Sequence, residues 1–219
     1  YACNISTLSD IDKIAMVERH IVSPLLAEKE QSKTGKNTGQ DQGWLKIWWQ
    51  HFRCRPELIG RINSIPRYFA CCEVTKRPIF SFIDPFIRPD HTLEVFVLPD
   101  DYSFGVVQSE IHAVWFRAKC SKLKADFRYT PHSVFDTFPW PQEPTKKQMR
   151  AVADAAVALR QVRDDAMSQL GWSLRDLYRN LEKPGANPLR DAHAALDAAV
   201  RAAYGMGTNE DILTHLLAP

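Results

Sequence analysis

The residues best suited to binding a charged partner lie in the run from Cys120 to Thr130. Within it, Lys122, Lys124 and Arg128 lie close in sequence to Tyr129. Lysine and arginine side chains bind phosphates, and an aromatic ring can stack on an exposed base. This combination of residues therefore favours contact with a nucleic acid.

A proline-bracketed segment, Phe138-Pro-Trp-Pro141, follows this run. Proline disrupts the interior of a helix and cannot donate a backbone hydrogen bond in a central strand. We therefore expect this segment to separate two different architectures.

Positive charge is unevenly distributed along the chain, although the formal net charge is only +2. From Lys46 to Arg77 there are seven basic residues and two acidic ones, and from Trp115 to Thr130 there are five and one. After Pro141 ten basic residues balance ten acidic ones. Two basic patches thus precede the prolines, and they either bind an anionic partner or form ordinary solvated surface.

Neither a complete catalytic set nor a metal site is predicted. The seven histidines show no zinc-helix spacing and no cysteine frame, and no GxSxG motif occurs. Gly205-Met-Gly207 is too short for a dinucleotide fingerprint. Asp84-Pro85-Phe86 lacks the second proline that base-flipping amino-methyltransferases use, so it indicates a turn. Trp44, Trp48 and Trp49 have the spacing of helix residues that pack in a core, although they could also stack on bases.

The five cysteines, an odd number without a CxxC pair, do not indicate a disulfide framework. They suggest a reducing compartment, so we expect a cytoplasmic protein. No apolar run reaches membrane-spanning length, and a membrane is not an expected partner. The chain begins at Tyr1 with neither an initiating Met nor a signal peptide, as we would expect of a fragment of a longer protein.

Apolar spacing in the first third of the chain predicts helices. One covers Ser9 to Leu26, a second runs through Trp44 to Phe52, and a third opens at Pro56 and continues to Ile62. Between the first two, Glu28 to Gly43 is polar and glycine-containing and indicates a mobile loop.

The middle of the chain changes to short β-branched and aromatic runs, which predict strands. The strands are Arg67–Val74, Ile79–Ile83, Leu93–Leu98, Tyr102–Gln108, Phe127–Tyr129 and Val134–Phe135. Pro99 to Asp101 is short enough for a hairpin between two of them. Ser109 to Lys119 interrupts the series as a helix, with Ser109 as its N-cap.

Everything after Pro144 is predicted to be helical. Apolar residues step by three and four from Met149 to Leu170, where Gly171 can serve as a C-cap. A second helix runs from Ala192 to Tyr204 after a turn at Pro184–Pro188, and Asp211–Leu217 adds a short one. The fold class is thus α+β: a mixed domain with a small, mainly antiparallel sheet over residues 1–141, then an all-α helical domain over 142–219.

Several stretches, in the same order, resemble one known family. They are Arg67-Tyr-Phe-Ala-Cys-Cys-Glu-Val-Thr-Lys-Arg-Pro-Ile-Phe80, Asp101-Tyr-Ser-Phe-Gly105, Gln108-Ser109, Leu123-Lys-Ala-Asp-Phe-Arg-Tyr129, Val134-Phe-Asp-Thr-Phe-Pro-Trp-Pro141, Ser173-Leu-Arg-Asp-Leu-Tyr-Arg179, Pro184-Gly-Ala-Asn-Pro-Leu189 and His193-Ala-Ala-Leu-Asp197. Together they are similar to the C-terminal part of MmeI-like, type IIL restriction–modification enzymes and related DNA adenine methyltransferases. The resemblance covers nearly the whole chain.

The resemblance implies a target-recognition domain followed by a C-terminal helical domain. Such a fragment binds double-stranded DNA, while a methyltransferase domain of the same polypeptide transfers a methyl group from S-adenosylmethionine to adenine. The family's catalytic motif and cofactor loop match nothing here, so we expect neither catalysis nor a cofactor in this fragment. Whether the parent also carries a nuclease stays open.

We assign phosphate contacts to basic side chains and base contacts to polar ones at the start of the Ser109 helix, where short side chains and a carboxylate can reach base edges. The expected DNA-binding residues are Arg67, Lys76, Arg77, Ser109, Glu110, His112, Arg117, Lys122, Lys124, Arg128 and Tyr129. The alternative is a protein-interaction module without direct base readout, in which the basic patches are only solvated.

Overall fold

Three short antiparallel strands form the sheet of this protein. The computed structural model describes residues 55–123 and 126–218, and from Gly60 onward the chain forms one compact unit. The helices predicted at Ser9–Leu26 and Trp44–Phe52, and the loop at Glu28–Gly43, lie outside the described residues. The helix predicted at Pro56 is confirmed as α1, Pro56–Asn63.

The sheet has β1 (Tyr68–Cys72) at its centre, between β2 (Ser81–Ile83) and β3 (Leu93–Phe96). In the ladder, Phe69 pairs with Phe82 on one side and with Phe96 on the other. The Phe69 ring stacks on Phe96 with centroids 5.3 Å apart. Cys71 is buried and Cys72 is exposed, which agrees with their predicted positions on opposite faces, although both faces of β1 are buried from Tyr68 to Cys71. The first three predicted strands are therefore confirmed, with shorter bounds.

The predicted strand Tyr102–Gln108 is wrong, because this segment is helix α2, Asp101–Gln108. Asp100 caps it: its carboxylate accepts a hydrogen bond of 2.7 Å from the Ser103 N–H, so Pro99–Asp101 is not a hairpin turn. Buried residues lie on nearly every side of the helix, from Phe104 to Gln108. A helix that is buried all round shows no amphipathic period, and the β-branched valines then imitate a strand.

Helix α3 spans Glu110–Lys119 and confirms the helix predicted after Ser109. A hairpin of β4 (Ser121–Leu123) and β5 (Asp126–Arg128) follows, in which Ser121 pairs with Arg128 and Lys122 with Phe127. The strand predicted at Val134–Phe135 is wrong, because Pro131–Val134 forms the short helix α4 with proline at its first position.

The chain after Thr145 is helical, as predicted. Its helices are α5 (Lys146–Leu170), α6 (Leu174–Asn180), α7 (Pro188–Ala203) and α8 (Ile212–Leu217). Gly171 ends α5 in the left-handed conformation at φ 64°, where a side chain would be strained. Helix α7 begins four residues before the predicted Ala192, because the Asn187 side chain accepts hydrogen bonds from the N–H groups of Leu189 and Arg190. The α+β fold class is thus confirmed.

One hydrophobic core joins the sheet to the C-terminal helices. It contains Phe69 from the sheet, Phe104 from α2, Leu159 from α5 and Leu196 from α7. Gly105 of α2 is packed so closely on α5 that a Cβ atom there would lie 2.8 Å from Cγ1 of Val152. The boundary expected between residues 141 and 142 stays a prediction, and the two segments share this core.

Candidate nucleic-acid interface

The end of the first basic patch, at Lys76 and Arg77, lies beside the hairpin of the second patch in the fold. After β1 the chain runs beside β5: the Tyr129 N–H donates to the Glu73 carbonyl at 2.7 Å, and the Thr75 N–H to the Phe127 carbonyl at 3.0 Å. Lys76 and Arg77, which are both exposed, follow Thr75 directly. The hairpin that carries Lys122 and Arg128 therefore lies next to the loop that carries Lys76 and Arg77.

The hairpin divides its own basic residues between two faces. Lys122 lies opposite Phe127 and Arg128 opposite Ser121, so the two basic side chains point to opposite sides of the ribbon. Arg128 also forms an ion pair with Glu73, and its Nε donates to Oε1 of Glu73 at 2.7 Å. Lys122 is exposed. Lys124 lies outside the described residues.

A groove of about 330 Å³ opens beside this surface, between the start of α3 and helices α6 and α7. Its lining combines three arginines with two carboxylates, and includes Arg77, Arg117, Arg190, Glu110 and Asp197. Arg77 and Arg117 are exposed, and neither forms an ion pair within the part of the chain that the structure describes. Arg190 differs, because its guanidinium donates to the carbonyls of the turn after α6 and so has a structural task.

Gln108 also lines the groove, at the end of α2, although only 6% of its surface is exposed. Its Oε1 accepts a hydrogen bond of 2.9 Å from the Phe80 N–H. Because an N–H must meet the oxygen and not the nitrogen of the amide, this contact fixes the amide orientation. The Nε2 of Gln108 has no acceptor among the described residues, yet it is not sealed from solvent.

A buried hydrogen-bonded chain lies behind the groove wall. Arg163, 3% exposed, donates through Nη1 to the Phe80 carbonyl at 2.9 Å and through Nη2 to the Tyr178 hydroxyl. That hydroxyl is 2.8 Å from Nε2 of His193. Burial, with the nearby Arg163 and Arg77 charges, lowers the pKa of His193 to about 3. His193 is therefore neutral, and because the Tyr178 oxygen accepts from Arg163, its O–H is free to donate a hydrogen bond to Nε2 of His193.

The start of α3 is tied to α7 at the groove. The Glu110 N–H donates to Oδ1 of Asp197 at 2.7 Å. Burial raises the pKa of Asp197 to about 6, an effect that the Glu110 N–H opposes. The Glu110 side chain is exposed, and its Oε2 lies 3.8 Å from Nη2 of Arg201. Glu110 thus keeps a solvent-accessible carboxylate in the groove wall.

Three of the expected DNA-binding side chains are buried. Ser109 is 1% exposed, and its hydroxyl donates to the Val106 carbonyl. His112 and Tyr129 are both fully buried, with Nε2 of His112 3.0 Å from the Tyr129 hydroxyl. Burial lowers the pKa of His112 to about 3 and raises that of Tyr129. In this conformation they pack the core, so the aromatic face that the sequence offered for base stacking is not at the surface.

Arg67 makes its contacts at the start of α2, away from the groove. It donates to the Pro99 carbonyl at 2.9 Å, pairs with Asp101 at 3.0 Å and lies over the Phe82 ring. It holds the entry to α2 and does not line the groove. The exposed residues that remain from the expected set are Lys76, Arg77, Glu110, Arg117, Lys122 and Arg128.

The sequence analysis missed Gln108, Tyr178 and Arg190 as groove residues. Gln108 ends an apolar run that predicts a strand, and a lone glutamine carries no motif. Tyr178 and Arg190 come from helices whose position against α3 only the tertiary fold supplies. The resemblance did contain the signal, since Gln108-Ser109 and the segments around Tyr178 and His193 were among its matching pieces.

The described part of the chain contains neither a metal-binding cluster nor a membrane-spanning helix. No group of three or more His, Cys, Asp or Glu side chains is arranged to hold a metal ion in residues 55–123 and 126–218. In those same ranges no helix combines the length and apolarity needed to cross a membrane.

Comparison with known proteins finds a similarity in the middle region of the chain. Residues 65–142 match the family of MmeI target recognition domains. The chain is 30% identical over 105 residues to DNA methyltransferase A of Bacillus subtilis (strain 168), a match that covers 47% of this chain and 11% of that protein. Residues 65–142 are therefore similar to MmeI target recognition domains.

The fold extends this similarity to most of the chain. It matches the structure of the type IIL restriction-modification enzyme MmeI in complex with DNA, with a TM-score of 0.67 and 23% sequence identity. The match covers 82% of this chain and 23% of that one, so the chain spans a minor part of the proteins it resembles.

Proposed function

We propose that this chain recognises a specific DNA sequence on behalf of an S-adenosylmethionine-dependent DNA adenine methyltransferase or restriction–modification enzyme. The observation that carries the proposal is the convergence of two basic segments, Lys76–Arg77 and the Lys122 hairpin, within an MmeI-like target recognition domain. The relative named as a DNA methyltransferase and the MmeI structure with DNA support the same function.

The proposed mechanism divides binding between two kinds of side chain. Lys76, Arg77, Arg117 and Lys122 bind phosphates and fix the position of the protein on the duplex, without reading sequence. Glu110 contacts a base edge, since a carboxylate accepts a hydrogen bond from the amino group of cytosine. The Glu73 partner of Arg128 neutralises part of its charge, so we expect a smaller contribution from that arginine.

Chemistry belongs, in this proposal, to a methyltransferase domain of the same polypeptide that binds S-adenosylmethionine and flips the adenine. The gene sequence upstream of the codon for Tyr1 should then encode a glycine-rich loop and an Asn-Pro-Pro-Tyr motif. The 219-residue chain itself should not bind S-adenosylmethionine in calorimetry. A stoichiometric micromolar site would contradict this division of labour.

The decisive experiment is titration of the chain with duplex DNA at several salt concentrations. If four side chains each neutralise one phosphate, the logarithm of the binding constant should fall with the logarithm of salt with a slope of roughly −3 to −4. Duplex binding that is absent or independent of salt would contradict the proposal. It would leave a protein-interaction module with solvated basic patches as the function.

A further inference from the structure

We infer that the groove between α3 and helices α6 and α7 binds one phosphate group of a nucleic-acid backbone, with the Gln108 amide as a donor on its floor. The inference rests on the DNA-binding function proposed above and deepens it. It gives one phosphate a defined position, and it makes the C-terminal helices part of the binding site.

Gln108 supplies the first argument. Its oxygen is used by the Phe80 N–H at 2.9 Å, which leaves the Nε2 donor without a described acceptor on a side chain that is 6% exposed. Solvent still reaches this Nε2, so a water molecule in the groove can satisfy it, and an anionic acceptor, which forms a stronger hydrogen bond, can replace that water. Gln108 lines the groove, so an acceptor that enters the groove can pair with it.

Charge supplies the second argument. Arg77 and Arg117 line the groove without an ion-pair partner in the described ranges, and the buried Arg163 adds a third cation behind the Tyr178 wall. On the negative side the groove has Glu110, which is partly offset by Arg201 at 3.8 Å, and Asp197, so with Arg190 its lining carries three arginines against two carboxylates. The surplus is positive, so the acceptor that the amide lacks should carry negative charge. A phosphate offers both the charge and several acceptor oxygens.

A phosphodiester is favoured over the carboxylate of an acidic protein segment by what surrounds the groove. Lys76 is next to Arg77 in the chain, and the exposed Lys122 lies on the neighbouring hairpin. Exposed basic residues are therefore also present outside the groove, which suits a polyanion with repeated charges.

The first test uses inorganic phosphate and the whole chain. The side-chain amide signal of Gln108 in a nitrogen–proton NMR spectrum can be assigned by its absence in Gln108→Glu. We expect this signal to move in a saturable way as phosphate is added, while sodium chloride at equal ionic strength leaves it in place. If phosphate moves it no more than chloride does, the amide is not an anion donor and the inference is overturned.

The second test uses duplex DNA. Gln108→Glu keeps an oxygen for the Phe80 N–H and replaces the donor with a negative group. We expect it to weaken duplex binding by roughly ten- to a hundredfold at ~0.1 M salt and to lower the salt slope by about 0.9, as for one lost phosphate contact. Arg117→Ala, at an exposed position, should lower the salt slope by a similar amount. It replaces Gln108→Glu in the test if that variant does not fold. Arg150→Ala, exposed on α5, is the matched control and should leave the slope unchanged.

The outcomes separate this inference from the proposed function. If the chain binds duplex DNA and both Gln108→Glu and Arg117→Ala leave the slope unchanged, the groove is not a phosphate site and the DNA-binding function stands. If the wild-type chain binds no duplex, the function itself fails and the inference with it. If a polyglutamate peptide competes as well as duplex DNA of equal charge, the groove binds an acidic protein segment and the inference is overturned.

Discussion

The backbone N–H of Glu110, the first residue of α3, donates a 2.7 Å hydrogen bond to Oδ1 of Asp197 in α7. The first N–H groups of a helix have no partner within it, and a carboxylate there also meets the positive end of the helix dipole. A residue of the C-terminal helices thus caps the helix that carries the proposed base-reading carboxylate. The helical part of the chain helps to orient the proposed recognition surface through this contact.

Asp197 should give the chain a measurable pH dependence. Burial raises its pKa in the folded chain to about 6, above the value of roughly 3.9 expected when unfolded. The folded chain binds the proton more tightly, so the Asp197 contribution to the free energy of unfolding is full below pH ~4 and is lost as pH rises through about 6. The free energy of unfolding of Asp197→Asn, measured in urea, should therefore rise relative to that of the wild type by up to about 3 kcal/mol as the pH increases from 4 to 7.

The amide introduced by Asp197→Asn keeps an oxygen that can accept the Glu110 N–H, so the cap survives the change. Asp154→Asn, at an exposed position in the middle of α5, is the control and should show no such trend. A stability difference between Asp197→Asn and the wild type that does not vary with pH would contradict the assigned protonation.

The sequence predicts most of this fold because most of its elements have a visible period or cap. The β-branched and aromatic run around β1 and the stepping apolar residues of α5 are read from residue types alone. Helix α2 is not predicted from residue types, because its buried valines favour a strand locally and only the tertiary environment makes the segment helical. The basic surface is predicted from Lys76, Arg77 and Lys122. The burial of His112 and Tyr129 is not predicted, because their hydrogen bond joins residues seventeen positions apart and leaves no local sequence pattern.

Gly105 provides a test of the packing between α2 and α5. A Cβ at this position would lie 2.8 Å from Cγ1 of Val152 and 3.2 Å from the Val152 carbonyl oxygen. Gly105→Ala should thus destabilise the chain by about 1–3 kcal/mol in urea unfolding, despite the better helix propensity of alanine. The control is Gly60→Ala in α1, where a Cβ would meet nothing within 4 Å, and it should stabilise by up to about 1 kcal/mol. Equal effects at both positions would show that the two helices are not packed so closely.

The hydroxyl of Tyr178 is expected to stabilise the wall of the groove. It accepts a hydrogen bond from the buried Arg163 and lies 2.8 Å from Nε2 of the partly buried His193, so Tyr178→Phe removes a hydrogen-bond partner from each. The free energy of unfolding should fall by about 1–3 kcal/mol. Tyr102→Phe removes a hydroxyl that has no hydrogen-bond partner among the described residues and should change stability by less than about 0.5 kcal/mol. A Tyr178→Phe chain as stable as Tyr102→Phe would mean that water replaces the hydroxyl.

Lys76 and Lys122 should contribute to DNA affinity without contributing to sequence choice. Both are exposed basic residues on the proposed surface, and contacts to phosphate do not depend on the base. Changing both to Ala should weaken binding to every duplex alike and lower the salt slope by about 1.8 for two lost contacts. Lys122 and Lys124 changed together to Ala should behave in the same way. Unchanged affinity at low salt would remove these residues from the interface.

Glu110 should act differently, because its carboxylate is a directional acceptor. Its side chain is exposed in the groove wall, with Oε2 3.8 Å from Nη2 of Arg201, while its backbone N–H donates to Asp197. Glu110→Ala keeps that backbone bond, so the helix should start as before and the fold should survive. In the full-length parent we expect the variant to relax or change one position of the methylated sequence, with about 1–3 kcal/mol less discrimination there. Sequencing of methylated sites checks this against Lys122→Ala, which should only lower the rate. An unchanged site with a lower melting temperature would instead give Glu110 a structural role.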